Sequence, residues 1–397
     1  MPTVTPPGYV KQILITLRSR GHLAYLVGGC VRDILLGVRP HDWDICTSAL
    51  PEEVMAIFPG SLPTGVKHGT VTVRLRSRQV EVTTFRSDGS YSDHRHPEAV
   101  RFVGDLNTDL SRRDFTMNAI ALPPDGLLCD PFGGVQDIRD GLIRCVGEPE
   151  RRFEEDALRM LRALRFSARL GFTVEKNTMA AILEKAPLAA GLAAERVRDE
   201  VEKILLTPAP QTAVMLISCG LLDHYLLCRT SPEAGALRRL TRLPKKTLYR
   251  WAALCTLLER GGAIRSTREF LTALRLDSRT IRCCEDCVQL LSQPVPESRV
   301  AWKRMLNRYG VDTVSVAAAC GDALFGGQSR NTLREILRSG ECFSLRHLAV
   351  GGEELAALGL SGRALGEMLD FLLEYVMEYP ENNRRELLLS LVHGTEE

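Results

Sequence analysis

Two aspartates flank a tryptophan in the segment His41-Asp42-Trp43-Asp44-Ile45. Side chains on a strand alternate between faces, so this spacing predicts that Asp42 and Asp44 project from the same side. Carboxylates a few ångströms apart repel each other unless a cation sits between them, and Mg²⁺ is the usual partner for such oxygen donors. Upstream, Gly28-Gly29-Cys30-Val31-Arg32-Asp33 follows the apolar strand Ala24-Tyr25-Leu26-Val27 and leads into a helix from Val31 to Leu36. A glycine turn ahead of a helix lets backbone N–H groups approach a triphosphate. Together the two segments point to a nucleotide held by its phosphates beside a metal pair. The plain alternative for Asp42 and Asp44 is a pair of solvated turn or cap residues.

A two-metal phosphoryl-transfer site usually takes a third acidic ligand to balance its charge. Glu81, in Val80-Glu81-Val82-Thr83-Thr84-Phe85-Arg86, alternates with apolar neighbours and faces away from the core side of its strand. An ordinary exposed strand glutamate would read the same way. In Ser111-Arg112-Arg113-Asp114-Phe115-Thr116-Met117-Asn118-Ala119, Ser111 is a good N-cap for a helix. At that helix start Arg113 is placed to clamp phosphate and Asp114 to accept from ribose hydroxyls. A capped helix with a local ion pair is the structural alternative. In Glu155-Asp156-Ala157-Leu158-Arg159-Met160-Leu161-Arg162-Ala163-Leu164-Arg165, the residues Asp156, Arg159, Arg162 and Arg165 step by three along a predicted helix. They make a slanting polar ridge, with Leu158, Leu161, Leu164 and Ala168 facing inward. A salt-bridged solvated face is the common reading of such a ridge. Here the arginines have too few acidic partners within one turn, which suits a polyanion or a base edge.

These residues need elements to hold them. Before about residue 145, β-rich segments (Leu23–Val27, 42–47, 70–76, 80–85 and 99–102) alternate with short helices and dense Gly and Pro punctuation, as in a compact α/β unit. Beyond it, apolar residues recur at helical spacing almost to the end, as in Val197-Val201-Ile204-Leu205, with Gly171, Pro208 and Gly220 at predicted helix ends. A chain of 397 residues should hold two or three domains, since single cores rarely pass ~250–300 residues. The expected layout is an α/β head at 1–145, then helical segments at 146–225, 226–300 and 301–397.

A net charge of +2 carries no argument for or against a nucleic-acid partner; local basic patches would have to meet it. Lys245-Lys246 and Arg238-Arg239 are possible contacts, though each also reads as solvated surface. No apolar run approaches the ~18 residues of a membrane span, and Met1–Tyr9 lacks the layout of a signal peptide. Twelve cysteines without an export signal read as reduced thiols in the cytoplasm. The CxxC at Cys284–Cys287 has no second ligand pair at zinc spacing, so it reads as buried thiols on a helix.

GGxVRD, DWD, EVTTFR, RRDFTMNA, DPFGG (Asp130 to Gly134), EDALRMLRALRF and ERVRDE (Glu195 to Glu200) occur in order over roughly residues 22–205. As a set they resemble the bacterial class II tRNA nucleotidyltransferases, the CCA-adding enzymes of the poly(A) polymerase/tRNA nucleotidyltransferase family. The resemblance implies a polymerase-β-like palm in the head, followed by an all-α neck, body and tail that hold tRNA. It makes Asp42 and Asp44 the metal ligands and Glu81 a supporting catalytic carboxylate. Gly29 and Arg32 fall on phosphate-contacting positions, Arg113 on a nucleotide-binding arginine and Asp114 near the ribose. Asp156 and Arg159 match the pair that reads the incoming base, with Arg162 and Arg165 supporting the same nucleotide.

The implied activity is template-independent addition of CCA to tRNA from CTP and ATP, with Mg²⁺ and release of pyrophosphate. Within the family, A-only addition is the nearest rival. Residues 87–97, with His94 and His96 read as loop surface, resemble the flexible loop that CC-only enzymes lack. The acidic end Thr395-Glu396-Glu397 is unlike the basic tail of poly(A) polymerases, and no His-Asp phosphohydrolase dyad follows residue 145. A catalytically dead tRNA-binding protein would not need intact Asp42, Asp44 and Glu81. A small-molecule nucleotidyltransferase would not need the long helical half.

Overall fold

The computed structural model of the chain describes residues 5–75, 77–89 and 100–393. It divides into two compact units, Met1–His224 and Tyr225–Glu397. In the first, the elements run α1 (Gly8–Ser19), β1 (Ala24–Val27), α2 (Gly29–Leu35), β2 (Asp44–Thr47), α3 (Pro51–Ile57), β3 (Leu62–Gly65), β4 (Thr70–Leu75) and β5 (Arg78–Thr84). A hairpin of β6 (Arg86–Asp88) and β7 (Val100–Phe102) follows, then α4 (Leu106–Ser111), β8 (Ala121–Leu122), α5 (Gly134–Asp140) and β9 (Leu142–Ile143). Helices α6 (Pro149–Glu155), α7 (Leu158–Leu170), α8 (Lys176–Lys185), α9 (Ala194–Leu205) and α10 (Ala213–Ser218) complete it, with the short strand β10 (Thr173–Val174) between α7 and α8.

The main sheet has six strands in the order β3-β4-β5-β2-β1-β8. Only β2 and β5 run parallel within it; its other neighbours are antiparallel. The alternating apolar residues of β4 and β5 (Val71, Val73, Val80, Val82) are buried, as are Val10, Ile13, Leu14 and Leu17 of α1. The inward stripe expected for α7 is also buried, at Leu158, Leu161, Leu164 and Ala168. Its helix stops where Gly171 takes a left-handed φ of 73°.

The DPFGG segment owes its second glycine to a backbone crossing. A Cβ on Gly134 would lie 2.1 Å from the Thr116 carbonyl oxygen and 2.7 Å from its carbon. Asp130 fastens this approach by accepting from the Gly134 and Val135 amides at 2.7 and 2.9 Å. Gly134→Ala is therefore expected to push the Thr116 segment aside and destabilise by about 1–3 kcal/mol. Thermal unfolding measures this, and an unmoved midpoint would contradict the crossing.

The second unit is helical among the described residues: α11 (Ala234–Arg238), α12 (Thr247–Arg260), α13 (Thr267–Ala273), α14 (Ser278–Leu291), α15 (Arg299–Phe325), α16 (Ser329–Ser339), α17 (Gly352–Ala357), α18 (Gly362–Glu378) and α19 (Arg385–His393). Helix α15 is broken at Gly310, whose φ of 78° no helix contains. Cys284 and Cys287 lie buried on α14, and all twelve cysteines are free thiols.

Lys303 on α15 is buried at 1% exposure and donates to Glu341 at 2.9 Å. Burial pushes the Glu341 carboxyl up, but hydrogen bonds from Arg299, Lys303 and Ser339 outweigh it and leave the group at about 2. A carboxyl lowered on folding contributes stability above its unfolded value of ~4.3. That contribution is lost as the pH falls from there toward 2. Denaturant titrations at pH 6 and pH 3 should thus show a smaller pH difference for Glu341→Gln than for the parent chain.

Candidate active site

Asp44 is the first residue of β2 and pairs in register with Glu81 on parallel β5; Thr72 of β4 flanks Glu81 on its other side. Asp42, Asp44 and Glu81, with Thr72 and Gln79, line one open cleft of about 570 Å³. Burial pushes the Asp44 carboxyl up, the negative charge of Glu81 adds to it, Arg113 opposes, and Asp42 adds a smaller rise. Asp44 thus sits in negative charge that its one nearby guanidinium does not cancel.

The backbone corrects one expectation. Asp42 lies in a bend before β2 rather than on it, so strand alternation does not align it with Asp44. Its carboxylate turns instead to His41 Nδ1 at 3.0 Å, with 86% of the side chain exposed. Trp43 between the two aspartates is buried, and anchoring that ring leaves its neighbours at the cleft mouth. Among the described residues no three His, Cys, Asp or Glu groups converge as a closed metal cage. Asp42, Asp44 and Glu81 nonetheless bring three carboxylates to one cleft, a set of hard oxygen donors that fits a divalent cation.

The glycine turn closes over two guanidiniums. Gly28 has φ 75° and ψ −136°, and a Cβ there would meet Arg113 Nη1 at 3.3 Å and Asp44 Oδ2 at 3.9 Å. A Cβ built on Gly29 lies 3.5 Å from Arg32 Nη2. At Gly28 the positive φ disfavours a side chain, and a Cβ would also press Arg113 back by a few tenths of an ångström. Arg113 is fixed by Asp109 Oδ2 at 3.0 Å, and its buried Nε has no hydrogen-bond partner. Asp109, which sequence reasoning missed, is wholly buried and also takes Arg112 at 2.8 Å.

Ser111 is not an N-cap. It is the last residue of α4, whose cap is Asp105, accepting from Thr108 N at 2.8 Å. Asp105, accepting from Thr108, caps the chain six residues earlier than the N-cap predicted at Ser111. Arg113 and Asp114 therefore stand in the turn after a helix. Asp114 accepts from Arg162 Nη2 at 2.6 Å and Nε at 3.0 Å, and from Asn118 Nδ2 at 3.1 Å. Burial pushes its carboxyl up, but Arg162, Asn118 and Arg159 outweigh that and hold it at about 2. Asn118 also accepts from Arg32 Nη1 at 2.8 Å, so a hydrogen-bonded chain links the glycine turn to α7.

The ridge differs from its expected form in two ways. Asp156 is not on the helix of the arginines: at φ −145° it ends α6, and its Oδ1 accepts from Leu158 N at the start of α7. An aspartate's capping hydrogen bond wins over helix continuation here. The arginines also do have acidic partners, one a turn away and two supplied from distant segments. Arg159 donates to Glu155 Oε2 at 2.9 Å, Arg162 to Asp114, and Arg165 to Glu200. Asp156 Oδ2 itself accepts from Arg196 at 3.0 Å. Arg196 and Glu200 are one helical turn apart on α9, a shared face that the ERVRDE spacing already contained. Asp156 and Arg159 thus stand together at the α6–α7 junction, each held by a third group rather than by the other.

Residues 24–144 match the family described as the Poly A polymerase head domain, and residues 171–234 match one described as a probable RNA and SrmB-binding site of polymerase A. A CCA-adding enzyme of Geobacillus sp. (strain WCH70) is 41% identical over 350 residues, covering 86% of this chain and 85% of that protein. A CCA-adding enzyme of Geobacillus kaustophilus is 39% identical over 385 residues, covering 94% and 93%. The chain belongs to the CCA-adding enzyme family. The crystal structure of the Bacillus stearothermophilus CCA-adding enzyme in complex with CTP superposes with a TM-score of 0.83 at 36% identity, covering 99% of both chains. The expected α/β head and helical remainder are thereby those of CCA-adding enzymes. Membership of a nucleotidyltransferase family points to a divalent metal. No described helix is long and apolar enough to cross a membrane.

Proposed function

We propose that this chain adds CCA to the 3′ end of tRNA from CTP and ATP, without a nucleic-acid template, in the cytoplasm and with Mg²⁺. The observation that carries this is similarity to CCA-adding enzymes along nearly the whole chain. The A-only alternative is not favoured by relatives named for CCA addition. We assign the head to 1–145, the neck to 146–225, the body to 226–300 and the tail to 301–397.

Asp42, Asp44 and Glu81 would hold the cations, Asp42 and Asp44 directly. Bound there, Mg²⁺ would lower the pKa of the tRNA 3′-hydroxyl and stabilise charge on the departing pyrophosphate. The remaining work is that of the protein. The Gly28–Gly29 turn leaves room for the triphosphate, with Arg113 and Arg32 beneath it supplying positive charge. Asp114, kept ionised, orients Arg162 beside the ribose end of the pocket.

Asp156 offers an acceptor and Arg159 donors. Cytosine and adenine each present an amino donor beside a ring-nitrogen acceptor, and so suit that pair. Uracil and guanine turn a carbonyl toward the carboxylate and are repelled. Incubating the protein with tRNA ending before C74, with tRNA ending in CC, and with complete tRNA tests this. Each receives CTP, ATP or both, and products are sized on a gel. Extension of only the CC-ended tRNA would replace CCA addition by A addition.

A further inference from the structure

We propose that Phe166 is a positioning residue of the nucleotide pocket, setting Arg32 below the glycine turn and Arg162 and Arg165 of α7 around one shared ring. The inference rests on the function proposed above and extends it to an apolar side chain that carries no chemistry of its own. Phe166 is 4% exposed. Its centroid lies 5.3 Å from the Arg32 guanidinium carbon, 5.6 Å from that of Arg162 and 4.1 Å from that of Arg165. Phe115 meets it edge-on, with centroids 5.7 Å apart and planes at 84°.

Three guanidiniums packed this closely repel one another. Each is also paired with its own carboxylate: Asp33 for Arg32, Asp114 for Arg162 and Glu200 for Arg165. The hydrogen-bonded chain Asp33–Arg32–Asn118–Asp114–Arg162 has a guanidinium near each end, and both touch the same ring. Arg165 is hydrogen-bonded to Glu200 instead of to that chain, and its guanidinium packs on the same ring. The π-face attracts all three cations toward a common centre, and burial removes the water that would weaken the attraction. An aliphatic residue of similar volume would fill the space but attract none of them. The guanidiniums would then settle toward their separate carboxylates and out of their shared arrangement.

Phe166→Leu and Phe166→Tyr, made in the full chain, test this. Loss of the ring should raise KM for both CTP and ATP roughly 5- to 30-fold. kcat should stay within about threefold, the signature of lost binding shared by ground and transition states. Phe166→Tyr keeps the π-face and should restore most of the affinity. If Phe166→Leu melts too low to assay, Phe166→Met fills the site in its place. Folded Leu or Met variants with parental KM, or a Tyr variant as impaired as Leu, would overturn the inference. A parent protein that transfers neither CMP nor AMP sinks the function instead.

Discussion

Asp44→Asn should lose CCA addition by ~10³-fold or more while the protein melts no lower than the parent, and even slightly higher. The two halves of that result come from one fact. Folding buries the Asp44 carboxylate beside Glu81, with Arg113 only partly compensating, so the folded state carries unfavourable charge at this position. Asparagine keeps the shape and removes the charge, which relieves the repulsion. The same charge is what would attract a divalent cation, so the relief removes the metal site. Activity assays with Mg²⁺, thermal melts and tRNA-binding measurements separate the effects, and binding of tRNA should persist. Substantial transfer by Asp44→Asn would end the assignment of Asp44 as a metal ligand. A large fall in melting temperature would mean that the carboxylate is structurally compensated after all.

Asp156→Ala should accept UTP and GTP far better relative to CTP and ATP, by roughly 5- to 150-fold, the equivalent of ~1–3 kcal/mol for a bidentate base contact. In the structure Asp156 is already aimed, by Leu158 N on one oxygen and Arg196 on the other. Its free lone pairs are all that must meet the base, so little side-chain ordering remains to oppose recognition. Removing it leaves Arg159 held by Glu155, still able to donate but with no carboxylate beside it to repel a carbonyl. Misincorporation ratios on CC-ended tRNA measure the change directly. Equal ratios in parent and variant would place base reading elsewhere.

Both predictions concern residues that spacing alone singled out, yet their surroundings came from packing. The glycine turn, the carboxylates at 42, 44 and 81, and the buried stripe of α7 follow from local rules: glycine's tolerance of positive φ, a charge pattern, and helical period. Such signals act over a few residues, so the linear order of the chain contains them. What tertiary structure decided lies across longer separations. It placed Asp42 before its strand rather than on it, made Ser111 the end of a helix, and turned Asp156 into a cap. It also supplied the acids for Arg162 and Arg165 from residues 48 and 35 positions away. A count of charges within one helical turn cannot find those partners, because which carboxylate neutralises a buried arginine depends on which helices and turns pack together.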